Sequence, residues 1–270
     1  MKRLLAEAEH KPNRALGQNF LADGAVIARI LDAAKIDGAL AVEIGPGLGA
    51  LTGPLLGRAA RVIAVEKDAR LSALLMRLLP DEKLTVVTGD FLEVDMAALT
   101  GGNAWHAVGN LPYYVTTPIV EKLLSGAPDS MTLMVQAEAA ERFFAEPGAR
   151  VYGPVAVMSQ YFYKPQVVCG VPRNCFYPQP EVDSTVVRLC RAQDRPLDPA
   201  ELLRFLKRAF AMRRKTLRNN LVPRSGFDAA LERLGLPAGV RAEAVAPEQL
   251  ASLCLMERKD PGRCGGMRAE

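Results

Sequence analysis

Three short apolar runs, each ending in an acidic residue and each followed by a turn or helix signal, lie within about fifty residues of this chain. Leu40 to Ile44 runs into Glu43-Ile44-Gly45-Pro46-Gly47-Leu48-Gly49, Arg61 to Val65 ends at Glu66, and Leu84 to Thr88 ends at Gly89-Asp90-Phe91. A helix is predicted from about Leu51, and a second, capped by Asp68, through Leu71, Leu74, Leu75 and Leu78. Strand and helix alternating at this spacing build a mostly parallel sheet covered by helices. Such open sheets hold ligands beyond the carboxyl ends of their strands, where these acids stand. The fold class expected is therefore α/β with a Rossmann-like sheet.

The remainder fits that frame. Asp23 suits an N-cap for a helix from Gly24 to Ala34, with Val26, Ile27, Ile30, Leu31 and Ala34 on one face. Trp105 to Val108 is expected as a central strand and about Pro118 to Leu124 as the next helix. Ser130 to Gln136 is a further strand, Ala137 to Phe144 and about Pro154 to Tyr163 are helices, and Gln166 to Val171 with Ser184 to Leu189 reads as a closing antiparallel pair. The polar, proline-bearing stretch Ala192 to Pro199 marks a boundary, giving a first domain over 1–192 and a second over 193–270. Beyond it Glu201 to Met212, Lys215 to Leu221, Phe227 to Leu234 and Pro247 to Met256 have helical patterns, so the second is a small all-helical domain that packs on the first. Lys2 to Asn13 reads as a basic arm and Asp260 to Glu270 as a tail.

Charge and cysteine usage narrow the function. The net charge is only +4, yet Glu201 to Arg224 holds eight basic residues against one acid, which points to a polyanion as partner. Phe205, Phe210 and Leu217 would face the core while Arg208, Arg213, Arg214, Lys215 and Arg218 face outward to contact RNA phosphates; a merely solvated helix face is the alternative. The five cysteines form no CxxC pair and there are two histidines, so no metal-ligand spacing exists and reduced thiols in a cytoplasmic protein are expected. Met1 to Arg14 lacks a signal-peptide core and no apolar run is long enough to span a membrane.

The glycines at 45, 47 and 49 allow close backbone approach and would present helix N-terminal NH groups to a ligand. They do not have the G-x-G-x-x-G spacing of a dinucleotide fingerprint, Pro46 removes one NH, and no Lys-Ser or Lys-Thr follows for a nucleotide-triphosphate loop. Glu43 discriminates further, because a carboxylate there repels phosphate and suits a sulfonium or an ammonium. S-adenosyl-L-methionine carries both. Glu66 would take its ribose hydroxyls and Asp90 its adenine amine, with Phe91 against the ring and Lys67 beside Glu66 at the same rim. The expected fold is thus a class I S-adenosylmethionine-dependent methyltransferase sheet; a nicotinamide or flavin enzyme is the lesser alternative.

Gly109-Asn110-Leu111-Pro112-Tyr113-Tyr114 follows the central strand. An amide, a rigid proline and an aromatic ring in series suit an exocyclic amine on a base. The Asn110 side-chain oxygen and the Leu111 carbonyl would accept its hydrogens, Pro112 would fix the backbone, and Tyr113 would stack on the ring. Hydrogen bonds of this kind favour a more tetrahedral nitrogen as a methyl group arrives, so catalysis would rest on alignment and preorganised dipoles. Phe176, in the proline-braced segment Cys175 to Pro180, is the candidate for the other face of the base, although such loops are commonly structural. The loop at Gln18 and Asn19 could close over a ligand or form a plain turn.

With these residues the chain resembles the ribosomal RNA adenine dimethyltransferases (the KsgA family), most closely their bacterial small-subunit branch. The likeness rests on Leu16 to Leu21, Glu43 to Gly49, Asn110 to Tyr113, Tyr152-Gly153, Phe176 to Ser184 and Arg213 to Arg218, and covers about residues 14 to 256. It implies transfer of four methyl groups to N6 of two adjacent adenosines in the hairpin loop near the 3′ end of 16S rRNA. It also implies that Gln18, Asn19 and Leu21 border the cofactor, that Glu43, Gly45, Glu66, Asp90 and Asn110 hold it with Gly47 in the same loop, and that Tyr113 and Phe176 sandwich the base. The implied partner is a partly assembled small ribosomal subunit; a monomer is the default expectation, and the lack of a separate sequence-reading element argues against DNA as substrate. Trp105-His106 and the cysteine-bearing tail depart from the family pattern without removing an expected functional residue. A 23S rRNA dimethyltransferase conferring macrolide-type resistance, a DNA adenine methyltransferase and a pure assembly factor are the rival readings.

Overall fold

The computed structural model describes residues 18–192, 195–221 and 226–259; the expected basic arm, Leu16-Gly17, Arg224 and the tail from Asp260 lie outside them. In chain order the elements are β1 (Phe20–Leu21), α1 (Gly24–Ala34), β2 (Leu40–Ile44), α2 (Thr52–Leu56), β3 (Arg61–Glu66), α3 (Ala69–Leu78) and β4 (Leu84–Thr88). Next come α4 (Met96–Thr100), β5 (His106–Asn110), α5 (Thr116–Gly126), β6 (Ser130–Gln136), α6 (Ala137–Phe144), α7 (Pro154–Phe162), β7 (Tyr163–Val171), β8 (Phe176–Tyr177) and β9 (Ser184–Arg191). The helices α8 (Pro199–Ala209), α9 (Leu217–Leu221), α10 (Phe227–Arg233) and α11 (Pro247–Lys259) complete the described residues.

Seven strands form one sheet in the order β4-β3-β2-β5-β6-β9-β7. The first five are parallel; β9 runs antiparallel to both β6 and β7, as the closing pair was expected to do. Strand alternation sends Ala41, Val62, Val108, Met134 and Val186 to one face, under α1 and α2. Val42, Ile63, Ala107, Leu133 and Val187 go to the other, against α5, α6 and α7. Caps set the helix starts: Asp23 accepts from the backbone N–H of Ala25 and Val26 at 2.9 and 3.0 Å, and Asp68 accepts from Arg70 at 2.9 Å.

The C-terminal helices share the core of the sheet domain. Leu202, Phe205, Leu206, Leu217 and Leu250 belong to the same apolar cluster as Leu133 and Val157. The Tyr152 hydroxyl donates to the Val245 carbonyl at 2.7 Å, and Lys207 pairs with Glu121 of α5 at 2.7 Å. Several details depart from the sequence expectation, among them an unexpected helix α4 and a β7 that starts at Tyr163 where Gln166 was expected. The central strand starts one residue late and runs on to Asn110, while Trp105 is buried ahead of it. The helix after the glycine loop is a single short turn-and-a-half, Thr52–Leu56. A two-stranded sheet, β1 with β8, was not foreseen.

Candidate active site

From β2 the chain proceeds outward to β3 and β4, whereas β5 and β6 lie on the other side of β2. The sheet therefore has its switch point between β2 and β5, and a crevice opens there at the carboxyl ends. Gly109 permits it: a Cβ at that position would sit 2.9 Å from the Ile44 carbonyl oxygen. The cleft is lined by Gln18 to Leu21, Glu43 to Leu48, Glu66, Lys67, Asp90, Phe91 and Asn110 to Val115, among others. All eleven cofactor candidates and Leu111, Pro112 and Tyr113 stand on its walls.

The glycine loop is held by its own backbone. Gly45, Gly47 and Gly49 have φ of 67, 56 and 80°, a region side chains disfavour. Gly45 N–H donates to the Val65 carbonyl at 3.0 Å, Gly47 N–H to Glu66 Oε2 at 3.0 Å, and Gly49 N–H to the Pro46 carbonyl at 2.9 Å. The expectation that these groups face a ligand is corrected: they are spent inside the loop, and α2 is too short to add a strong N-terminal field.

The three acids differ in state. Glu43 is 1 % exposed, and burial pushes its pKa up to about 8 against the single hydrogen bond from Thr52 Oγ1 at 2.6 Å, with the charge of Glu66 adding to the rise. Burial also raises Glu66, opposed by the N–H groups of Asp68 at 2.9 Å and Gly47 at 3.0 Å, which fix its carboxylate. Asp90 sits at the rim with Lys67 Nζ on Oδ2 at 2.8 Å and Leu92 N–H on Oδ1 at 2.9 Å, and these lower its pKa. Lys67, expected beside the cofactor, thus reaches Asp90. The turn bearing Phe91 is braced by Lys122, whose Nζ donates to the carbonyls of Leu92 and Val94 at 2.7 and 2.5 Å. Sequence pattern gave no signal for Lys122, or for Thr52 beneath Glu43.

Asn110 ends β5 with its Nδ2 donating to the Asn19 carbonyl at 3.0 Å. A carbonyl can only accept, so this bond fixes which way the amide faces and leaves Oδ1 as an acceptor with no donor among the described residues. Leu111 N–H is held by the Met134 carbonyl at 3.0 Å, and Pro112 is extended at φ −64°. The Tyr113 hydroxyl meets Ser184 Oγ at 2.7 Å, and burial raises its pKa, so the phenol stays neutral.

Phe176 is placed differently from the expectation. Phe20 pairs with Tyr177 and Leu21 with Phe176 across β1 and β8. Cross-strand partners share a face, so Phe176 joins Leu21 and Val26 in the apolar layer under α1 at 5 % exposure, off the cleft wall. Phe20 and Tyr177 take the other face with Leu48 and Leu71, and a Cβ at Gly47 would sit 3.0 Å from the Phe20 ring. The residues 18–21 segment is thereby seated on the glycine loop.

The basic residues of the helical region are less free than their count suggests. Arg208 pairs with Glu257, Arg213 with Glu243 at 3.1 Å, and Arg218 with Asp228, all acids from beyond the basic run. Arg214 and Lys215 are exposed and make no ion pair among the described residues.

The model of the family described as ribosomal RNA adenine dimethylase matches residues 9–258. The "Ribosomal RNA small subunit methyltransferase A" of Deinococcus radiodurans is 42% identical over 252 residues, covering 91% of this chain and 85% of that protein. Among solved structures, a dimethyladenosine transferase from Plasmodium falciparum superposes with a TM-score of 0.74 at 25% identity over 90% of this chain and 98% of its own. The 23S rRNA methyltransferase ErmE superposes with a TM-score of 0.65 at 30% identity, covering 88% of this chain and 98% of its own.

Proposed function

The chain belongs to the ribosomal RNA adenine dimethylase family, and from that premise we propose that it dimethylates N6 of two adjacent adenosines in the 3′-terminal hairpin loop of 16S rRNA during small-subunit assembly. It is a methyltransferase with S-adenosyl-L-methionine as cofactor. The cleft fits that group on its own chemistry: a buried, cation-seeking Glu43, a pre-oriented Glu66, and a loop whose three glycine N–H groups are engaged within the protein. Bound there, S-adenosyl-L-methionine supplies an electrophilic methyl on a sulfonium. Glu43 favours the positive end, Glu66 offers remaining lone pairs to the ribose hydroxyls, and Asp90 with Phe91 borders the base of the cofactor.

The observation that carries the reading is the Asn110 amide. Its Nδ2 is committed to Asn19, so Oδ1 is turned outward as an acceptor for an exocyclic amine. Together with the Leu111 carbonyl it would draw the adenine nitrogen toward a tetrahedral shape, raising the availability of its lone pair. Tyr113 would stack on one face of the flipped base, and Phe176 on the other once it leaves the apolar layer. The methylated nitrogen is acidic enough to lose its proton to water, so no strong base is needed. Arg214 and Lys215 would meet backbone phosphates, with Arg208, Arg213 and Arg218 joining by exchanging a carboxylate for a phosphate. Action as a monomer in the cytoplasm, on the small subunit and not on DNA, completes the proposal; no helix among the described residues is long and apolar enough to cross a membrane.

The likeness to ErmE keeps a large-subunit substrate as the second reading. Purified protein with labelled cofactor, offered both subunits from unmodified cells, separates the two. Label in adjacent 16S adenosines is expected; label confined to 23S rRNA would overturn the assignment.

A further inference from the structure

Stacking on a base needs a ring and no hydroxyl, yet position 113 carries tyrosine. Its hydroxyl lies 2.7 Å from Ser184 Oγ, 71 residues away in sequence. Ser184 is 1 % exposed and opens β9, where it is registered against Gln136 of β6 on one side and Val171 of β7 on the other. Its backbone is thus held between two neighbouring strands, whereas Tyr113 stands on a 3-10 turn with no side-chain cap. We propose that Ser184 is a positioning residue for the reaction: it holds the Tyr113 ring where the flipped adenine must stack. This rests on the base-stacking role given to Tyr113 above.

The para oxygen lies on the axis from Cβ through the ring, so a hydrogen bond there pins the far end of that axis. It therefore fixes where that axis points and leaves rotation about it to packing and to the phenol's preference for in-plane partners. Without it, the half-buried ring loses its one side-chain hydrogen bond among the described residues, and a change of χ1 well would move its centre by several ångströms. Alignment of the target amine over Asn110 Oδ1 depends on the stack, and small misplacements of a reacting group cost large factors in rate. Burial keeps the phenol neutral, so the bond persists across the working pH range. Ser184 also closes the 176–183 loop, whose Asp183 carbonyl receives the Ala137 N–H at 3.1 Å and whose Asp183 carboxylate receives the Arg173 N–H at 2.9 Å. The anchor for one stacking ring is thus the fixed end of the loop that bears the other.

The test is a double-mutant cycle with full-length Tyr113→Phe, Ser184→Ala and the double variant on unmodified small subunits. Each single change is expected to lower kcat about tenfold, a loss of about 1.4 kcal/mol in transition-state alignment. KM for the cofactor should stay unchanged, and the double variant should be no slower than either single one. A 2-aminopurine at the target position should show weaker quenching in both single variants. Tyr113→Phe leaves the sheet untouched, so it decides the matter even if Ser184→Ala folds poorly. Wild-type kcat and quenching in Tyr113→Phe, or losses that multiply in the double variant, would overturn the proposal while leaving the proposed function standing. Absence of 16S methylation by the wild-type protein would take both down.

Discussion

The acids of the cleft and the bases of the C-terminal helices show opposite relations between number and effect. A single carboxylate, Glu43, is removed from water with one hydroxyl for company, and burial, with the charge of Glu66 adding to it, pushes its pKa up to about 8. Of five outward bases counted as a dense positive run, three meet carboxylates from beyond that run, and all remain in high dielectric. Exposed pairs of that kind contribute about 0–1 kcal/mol. What decides a charge's influence is thus its surroundings, and one buried group can outweigh many exposed ones.

The sharpest way to break that contrast starts at the neutral amide between the two charge systems. Asn110→Ala should reduce methyl transfer on the order of 100-fold or more while small-subunit binding persists, measured by label incorporation and filter binding. Unchanged transfer would remove Asn110 from the chemistry. Glu43→Gln should weaken cofactor binding roughly tenfold, about 1.4 kcal/mol, by calorimetry at pH 8. In the unmutated protein a cationic ligand binds best to the ionised carboxylate, so affinity should climb as pH rises toward about 8 and level off above it. A flat profile in both proteins would show that Glu43 does not sense the ligand's charge.

Stability carries the same sign rule. The folded pKa of Glu43 lies above the ordinary 4.5, so the folded state holds the extra proton between the two values. Stability should therefore be highest below about pH 4.5 for this group's part and fall as pH rises to about 8, and Glu43→Gln should flatten that slope in denaturant titrations. On the basic side, Arg214→Gln with Lys215→Gln should lower the salt dependence of subunit binding by roughly 1.5 in log–log slope. Arg213→Gln with Arg218→Gln should change it less, because each already has a carboxylate partner. An equal drop in the two double variants would mean that the ion pairs dissolve on contact with RNA.

Local pattern carried much of the fold. Leu40–Ile44, Leu84–Thr88, Ser130–Gln136, Ala137–Phe144 and Gly24–Ala34 lie where period and caps place them, because apolar alternation and Asp23 act within a few residues. The placement of cleft-wall residues at strand ends was legible for the same reason. What escaped is long-range. The pairing of Phe20–Leu21 with Phe176–Tyr177 joins segments with no local signal for a two-residue strand, and it is this pairing that turns Phe176 inward. Likewise, Glu243, Asp228 and Glu257 neutralise bases that look unopposed along the chain, since proximity in the fold is not spacing in sequence. Lys122 and Ser184 act through partners 30 and 71 residues away, beyond the reach of any motif.

That small ribbon has a mechanical meaning. Because β1 lies on the glycine loop through Phe20 and is paired with the strand that carries Phe176, the segment bordering the cleft and the proline-braced loop are clasped together. Removing residues up to Leu21 should therefore do more than bare the glycine loop: it should also release the strand that holds Phe176, so one cut would loosen two parts of the fold.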